Sequence, residues 1–133
     1  MFLDTSYCID LMRERVRREN GPATRKLVEL GDVALYMSVF VACELQAGAC
    51  LATRPADELR KVGRLAEHVE LVFPDRSFAV AYGEAEAALR RKGKPIPTMD
   101  LMIGVQAKIY GMPLLAGRDS HFRLIPGLMV EDY

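Results

Sequence analysis

The sequence has no tryptophan, little cysteine and no excess of charge of either sign. Its three cysteines, Cys8, Cys43 and Cys50, form no CxxC pair and have no metal-binding spacing. This excludes a disulfide scaffold and favours reduced, buried thiols, with Cys43 and Cys50 able to share one buried helix face. Because 18 Lys and Arg balance 18 Asp and Glu, a non-specific basic coat for nucleic acid is excluded, whereas a local basic patch is not.

The chain also lacks a long hydrophobic run and a basic, apolar leader. No run approaches the roughly 20 residues that span a bilayer, and the acidic Asp4 interrupts the N-terminus at once. We therefore expect a soluble, cytoplasmic protein with no membrane partner. Its 133 residues predict one domain, residues 1–133, with a core large enough to be stable without disulfides or a structural metal.

Short apolar runs alternate with helical patterns along the chain. The predicted strands are 1–3, 33–37, 69–73, 113–116 and 128–130. Continuous apolar runs are typical of strands buried on both faces, and alternation with helices favours a parallel sheet. The prediction is a single α/β domain in which Ser38 and Thr98 cap helices. The stripe expected on the helix over 39–52 comprises Phe40, Cys43, Ala47, Cys50 and Leu51.

Four acidic residues stand where predicted strands end or the following helices begin: Asp4, Glu44, Asp100 and Asp119. Open α/β sheets bind ligands beyond the carboxyl ends of their strands, so these acids could converge on one edge. Converging carboxylates repel one another unless a cation joins them. Oxygen ligands suit Mg²⁺ or Mn²⁺, which can activate a water for phosphodiester cleavage.

Residues beside the acids could support such a site. Thr5 or Ser6 could add a hydroxyl ligand or orient a water, and Arg118 could contact a phosphate or pair with a carboxylate. Gly48 and Gly104 follow Glu44 and Asp100 by four residues, which predicts open space beside those carboxylates.

Structural roles remain open for the same acids. Asp4 could cap a helix, Asp100 could complement a helix dipole, and Asp119 could be a turn residue. Glu44 is harder to explain in this way, because an acid on an apolar helix face is unusual. The residues by themselves do not decide between these roles and a functional acidic cluster.

The remaining polar groups give weaker signals. Two basic runs are typical of solvated helix surface, and they would hold RNA phosphates only if they flank the acidic edge. They comprise Arg13, Arg15, Arg17 and Arg18, and Arg90, Arg91, Lys92 and Lys94. His68 and His121 have no metal-site spacing and are interpreted as structural or surface groups.

Four segments in order resemble the PIN-domain ribonucleases, specifically the VapC-type toxins of type II toxin–antitoxin pairs. They are Phe2–Tyr7, Ser38 with Glu44 and Gly48, Gly93–Ile103, and Arg118–Leu128. Together they extend over nearly the whole chain. Gly117 departs from the pattern, because the family commonly has threonine there. The fourth acidic position therefore lacks a hydroxyl that often supports it.

The resemblance implies a PIN-like α/β/α sandwich on a short parallel sheet. Asp4, Glu44, Asp100 and Asp119 would hold one or two Mg²⁺ or Mn²⁺ ions, and a metal-activated water would attack an RNA phosphodiester. A VapB-type antitoxin would cover the site of a homodimer. The alternatives are a PIN-domain RNA-processing nuclease without an antitoxin, and an inactive PIN-like binding module.

Overall fold

The computed structural model describes residues 1–133, which form a five-stranded parallel sheet flanked by helices. The strands are β1 (Phe2–Leu3), β2 (Tyr36–Ser38), β3 (Glu70–Val72), β4 (Leu114–Leu115) and β5 (Val130–Glu131). The helices are α1 (Thr5–Arg17), α2 (Pro22–Leu30), α3 (Val39–Leu51), α4 (Pro55–Ala66), α5 (Phe78–Arg91), α6 (Thr98–Ile109) and a short 3₁₀ helix (His121–Leu124). The predicted α/β class with a parallel sheet is confirmed.

The strand order is β3-β2-β1-β4-β5, so the chain reverses direction across the sheet between β1 and β4. Phe2 pairs with Leu114, and Leu3 pairs with Leu115. The backbone N–H of Asp4 continues this pairing by donating to the carbonyl of Leu115 at 3.0 Å. The carboxyl ends of β1 and β4 therefore lie side by side at the switch point, where open α/β sheets have a crevice.

The two central strands explain the continuous apolar runs of the sequence. Phe2, Leu3, Leu114 and Leu115 are fully buried, since helices cover both faces of the sheet. None of the helices is long and apolar enough to cross a membrane. The N-terminal residue of α6 is Thr98, but its side chain makes no capping hydrogen bond and Pro97 occupies the cap position, so the predicted Thr98 cap is wrong.

The predicted buried stripe of α3 is also wrong. Its buried residues are Val41, Leu45 and Ala49, on the side where α1 and α4 pack. Phe40 is half-buried, and the rest of the stripe is exposed: Cys43, Ala47, Cys50 and Leu51. Because α3 is apolar almost all round, its periodicity does not specify which side faces the core.

Local spacing also fails to predict the surroundings of two cysteines and one glycine. Cys8 is buried as expected, but Cys43 and Cys50 are exposed. A Cβ at Gly104 would collide with Ile125 and crowd Phe122, so this glycine lets the chain after the 3₁₀ helix pack on α6. A Cβ at Gly48 would meet no atom within 4 Å. The predicted role of Gly104 in making space beside Asp100 is therefore wrong.

Candidate active site

One open cavity of about 530 Å³ lies at the carboxyl edge of β1 and β4, and all four predicted acids line it. Asp4 follows β1, Glu44 comes from the second turn of α3, Asp100 from the first turn of α6, and Asp119 from the turn after β4. Further lining residues are Thr5, Ser6, Arg118, Ser120 and His121. The structure thus brings together every candidate site residue predicted from the sequence.

Asp4 is the most buried of the four acids that line this cavity. It occupies the N-cap of α1, where its Oδ2 accepts a hydrogen bond from the backbone N–H of Ser6 at 3.3 Å. Only 6% of its surface is exposed. Burial raises the pKa of Asp4 to about 6, against the hydrogen bonds from Thr5 and Ser6, and the charge of Asp100 adds to the rise. The capping role is therefore real, but it leaves the carboxylate charge poorly compensated.

Glu44 is half-buried and is tied to the N-terminus of α1. Its Oε2 accepts a hydrogen bond from Thr5 Oγ1 at 2.5 Å. Because Thr5 is the residue after Asp4, this contact links the acid on α3 to the end of β1. The hydroxyl predicted to support the site is thus engaged with a carboxylate.

Asp100 has a partner that the sequence analysis missed. Its Oδ2 lies 2.9 Å from Nδ1 of His121, the first residue of the 3₁₀ helix. His121 is exposed, as expected for a surface group, but its imidazole also lines the acidic cavity. The available signal was its place in the closing segment, two residues after Asp119.

Asp119 and Arg118 lie in the turn between β4 and the 3₁₀ helix, and both are exposed. The turn is closed by a hydrogen bond from the backbone N–H of Ser120 to the carbonyl of Gly117 at 3.0 Å. Arg118 reaches no closer than 3.9 Å to a carboxylate oxygen of Asp132 and is 85% exposed. Its guanidinium is therefore free to bind a ligand at the rim.

The donor atoms suit a hard divalent cation. Four carboxylates and the hydroxyls of Thr5, Ser6 and Ser120 are all oxygen donors, the ligands that Mg²⁺ and Mn²⁺ prefer. The buried Oγ of Ser120 has no hydrogen-bond partner. No three of the acids surround a common point closely enough to hold an ion by themselves, so any ion bound here would complete its shell with water or a substrate phosphate.

Fold and site together define a small parallel α/β protein with an oxygen-rich acidic cavity at its topological switch point. The chain belongs to the PIN domain family, whose model matches residues 1–128. It is 28% identical over 131 residues to the tRNA(fMet)-specific endonuclease VapC of Salmonella typhimurium, covering 98% of this chain and 96% of that protein. Ribonuclease VapC1 of Haemophilus influenzae gives the same identity and coverage.

Solved structures agree with this assignment. DNA-bound VapBC from Salmonella typhimurium matches with a TM-score of 0.87 and 27% identity, covering 98% of this chain and 96% of that one. VapBC2 from Rickettsia felis, bound to a promoter DNA fragment, has the same fold, with a TM-score of 0.89, 22% identity, and 99% and 97% coverage. The predicted family is confirmed: this is a PIN-domain nuclease of the VapC type, a hydrolase.

Proposed function

We propose that the protein is a Mg²⁺- or Mn²⁺-dependent endoribonuclease and the toxin component of a cytoplasmic toxin–antitoxin pair. The observation that carries the proposal is the convergence of four acids from four separate segments on one open cavity. Carboxylates gathered at a crevice without compensating cations are unfavourable for stability, so their arrangement favours a role in binding charge.

Asp4, Glu44, Asp100 and Asp119 would hold the cation. When bound, a divalent ion lowers the pKa of a water and neutralises charge that develops at phosphorus. Asp4 best supports this assignment, because burial raises the pKa of its carboxyl group to about 6 despite hydrogen bonds from Thr5 and Ser6. A nearby cation would stabilise its ionised form.

The neighbouring side chains would orient these ligands. Thr5 donates to Glu44 and holds that carboxylate towards the end of β1. His121 would orient the Asp100 carboxylate through the hydrogen bond from its Nδ1. Such outer partners fix ligand geometry in metal sites. The exposed guanidinium of Arg118 would bind a phosphate oxygen, and the unpartnered hydroxyl of Ser120 would donate to the same group.

RNA, an antitoxin and a second copy of the chain are the proposed partners. Salmonella VapC is named a tRNA(fMet)-specific endonuclease, and Haemophilus VapC1 is named a ribonuclease. Several matched structures are VapBC assemblies, which supports a VapB-type antitoxin for this chain. The resemblance to VapC toxins also favours a homodimer, which light scattering would test by measuring a mass of two chains.

The central experiment is RNA cleavage by the purified protein free of antitoxin. We expect discrete fragments from total bacterial RNA in Mg²⁺ or Mn²⁺ and none in EDTA. Asp100→Asn should lower the rate by about 10²- to 10³-fold, the range for removing one preorganised polar group that stabilises the transition state. Asp32→Asn is the matched control, because Asp32 is exposed and lies outside the cavity.

Two results would contradict the proposal. Cleavage that persists in EDTA and in the Asp100→Asn variant would belong to another site or a contaminant. Folded protein that binds Mn²⁺ but cleaves none of several RNA pools would instead support the inactive binding module.

A further inference from the structure

Three neighbouring cavities, which share lining residues, lie beside the catalytic cavity along α1 and α4. The first, of about 260 Å³ between α1, α3 and α4, shares Glu44 with the catalytic cavity. Two more, of about 210 Å³ and 400 Å³, share Lys61 with that first cavity. We call these three cavities together the α1–α4 groove. Glu44 therefore lies at the junction between the acidic site and this groove.

The groove is basic in a chain whose formal net charge is zero. Its lining contains three anions, Glu44, Asp57 and Glu58, against twice as many cations. The cations are Arg13, Arg15, Arg54, Arg60, Lys61 and Arg64. Positive charge is thus concentrated on one path that begins beside the acids.

Several of these cations are free to bind a ligand. Arg60 pairs with Asp57, and Lys61 pairs with Glu58. In contrast, Arg15, Arg54 and Arg64 are exposed and make no ion pair.

The other basic run of the sequence lies outside the groove. Arg90, Arg91, Lys92 and Lys94 line neither the catalytic cavity nor the α1–α4 groove, and Arg90 is paired with Glu86. The structure therefore distinguishes two runs that look equivalent in the sequence.

We propose that the α1–α4 groove binds the RNA backbone on one side of the scissile phosphate, with Arg15 and Arg64 as substrate-positioning residues. This inference rests on the proposed function and extends its site. Phosphates recur along a strand, so cations spaced along a groove bind several at once. The groove floor is apolar at Leu11 and Leu65, which would also suit a protein helix. The excess of unpaired guanidinium groups favours the polyanion.

The test measures binding, not cleavage, so its outcome is separate from that of the nuclease assay. In an Asp100→Asn background with Mn²⁺, fluorescence anisotropy would follow a fluorescein-labelled, mixed-sequence single-stranded RNA of 20 nucleotides, and a second RNA of 5 nucleotides. The test variant is Arg15→Gln with Arg64→Gln. The matched control is Arg90→Gln with Arg91→Gln, which removes the same charge elsewhere on the surface.

We expect the test pair to raise Kd for the longer RNA by about tenfold and to reduce the salt-dependence slope by about 1.4, which corresponds to two lost phosphate contacts. The short RNA and the control pair should change less than about twofold. In protein that retains Asp100, the test pair should raise KM for cleavage of long RNA and leave kcat unchanged. Unchanged thermal unfolding of both pairs would verify the fold, because all four side chains are exposed.

Three outcomes would overturn the proposal. Equal losses in the test and control pairs would indicate a general charge effect. Equal losses for the short and long RNA would place the arginines at the reacting phosphate. Unchanged RNA binding with weakened capture of a co-expressed antitoxin would assign the groove to that protein.

Discussion

Two buried acids of this protein, Asp4 and Glu14, lie in opposite electrostatic environments. They are exposed to nearly the same extent, 6% and 7%, and both belong to α1 or its cap. Charged side chains are rarely this buried without a partner. The comparison separates an acid that stabilises the fold from one that the fold leaves available for chemistry.

Both carboxylate oxygens of Glu14 accept hydrogen bonds. Its Oε1 accepts from the backbone N–H of Ala23 at 3.1 Å, and its Oε2 accepts from that of Thr24 at 2.7 Å. These groups belong to the first turn of α2, whose N–H groups have no partner within the helix. Burial acts to raise the pKa of Glu14, but hydrogen bonds from Thr24 and Ala23 and the charge of Arg25 outweigh it and lower the pKa. The carboxylate therefore acts as a remote cap for α2.

The hydrogen bonds that Asp4 accepts from Thr5 and Ser6 do not offset its burial, which raises its pKa to about 6. Its ionised form costs stability, whereas that of Glu14 contributes it. The difference shows that burial of a carboxylate does not by itself indicate function, and that the decisive feature is whether its charge is compensated within the fold.

The largest expected effect on stability is at Asp4. In EDTA, the pKa of folded Asp4 is about 6, whereas the pKa of the unfolded residue is 3.8. Stability therefore falls as pH rises between these values, by about 3 kcal/mol in total. Asp4→Asn keeps an oxygen for Ser6 and should stabilise the protein by up to about 3 kcal/mol at pH 8, and by almost nothing at pH 4.

Urea unfolding across this pH range would check that prediction, and the same measurement with Mn²⁺ would test whether Asp4 binds the metal. Added Mn²⁺ should stabilise the unmodified chain more than the variant, because the variant lacks an anionic ligand. An Asp4→Asn variant that is less stable than the parent at pH 8 without metal would show that ionised Asp4, like ionised Glu14, stabilises the fold.

The next effect concerns Glu14 and its neighbour Gly21. Glu14→Ala should cost about 2 kcal/mol, because two N–H groups of α2 lose a charged acceptor. A Cβ at Gly21 would collide with the Glu14 carboxylate, so Gly21→Ala should also be destabilising, but much less so in the Glu14→Ala background. A double-mutant cycle by urea unfolding measures this coupling.

RNA cleavage is the control measurement for the Glu14→Ala and Gly21→Ala variants. Cleavage per folded molecule should stay unchanged in both variants, in contrast to Asp100→Asn. Additive effects on stability would show that Glu14 and Gly21 do not share one site.

The smallest effect is expected at Thr5. Thr5→Val removes the hydrogen bond to Glu44 and should lower kcat/KM for RNA cleavage by about tenfold, the low end for an outer partner of a metal ligand. Stability should change little, since Glu44 is only half-buried and can take up water. Thr53→Val, on an exposed loop, is the matched control, and equal activity of the two variants would remove Thr5 from the site.

Local patterns predicted much of this arrangement. The apolar runs 1–3 and 113–116 indicated buried parallel strands, and Asp4 stood at the end of the first. The contact between His121 and Asp100, 21 residues apart, could not be predicted, because it depends on how the 3₁₀ helix packs on α6. The absence of a side chain at Gly104 favours that packing, because a Cβ there would meet Ile125 and crowd Phe122.

The sequence by itself determined the α/β class, the family resemblance and the identity of the four acids, because periodicity and strand-end residues are local properties. Only the tertiary structure decided which face of α3 is buried, which basic run lies beside the site, and which buried acid is compensated. These depend on contacts between distant segments: α3 is apolar on nearly every side, and the charge of Glu14 is satisfied by a different helix. Partners of this kind are chosen by packing, which no local pattern specifies.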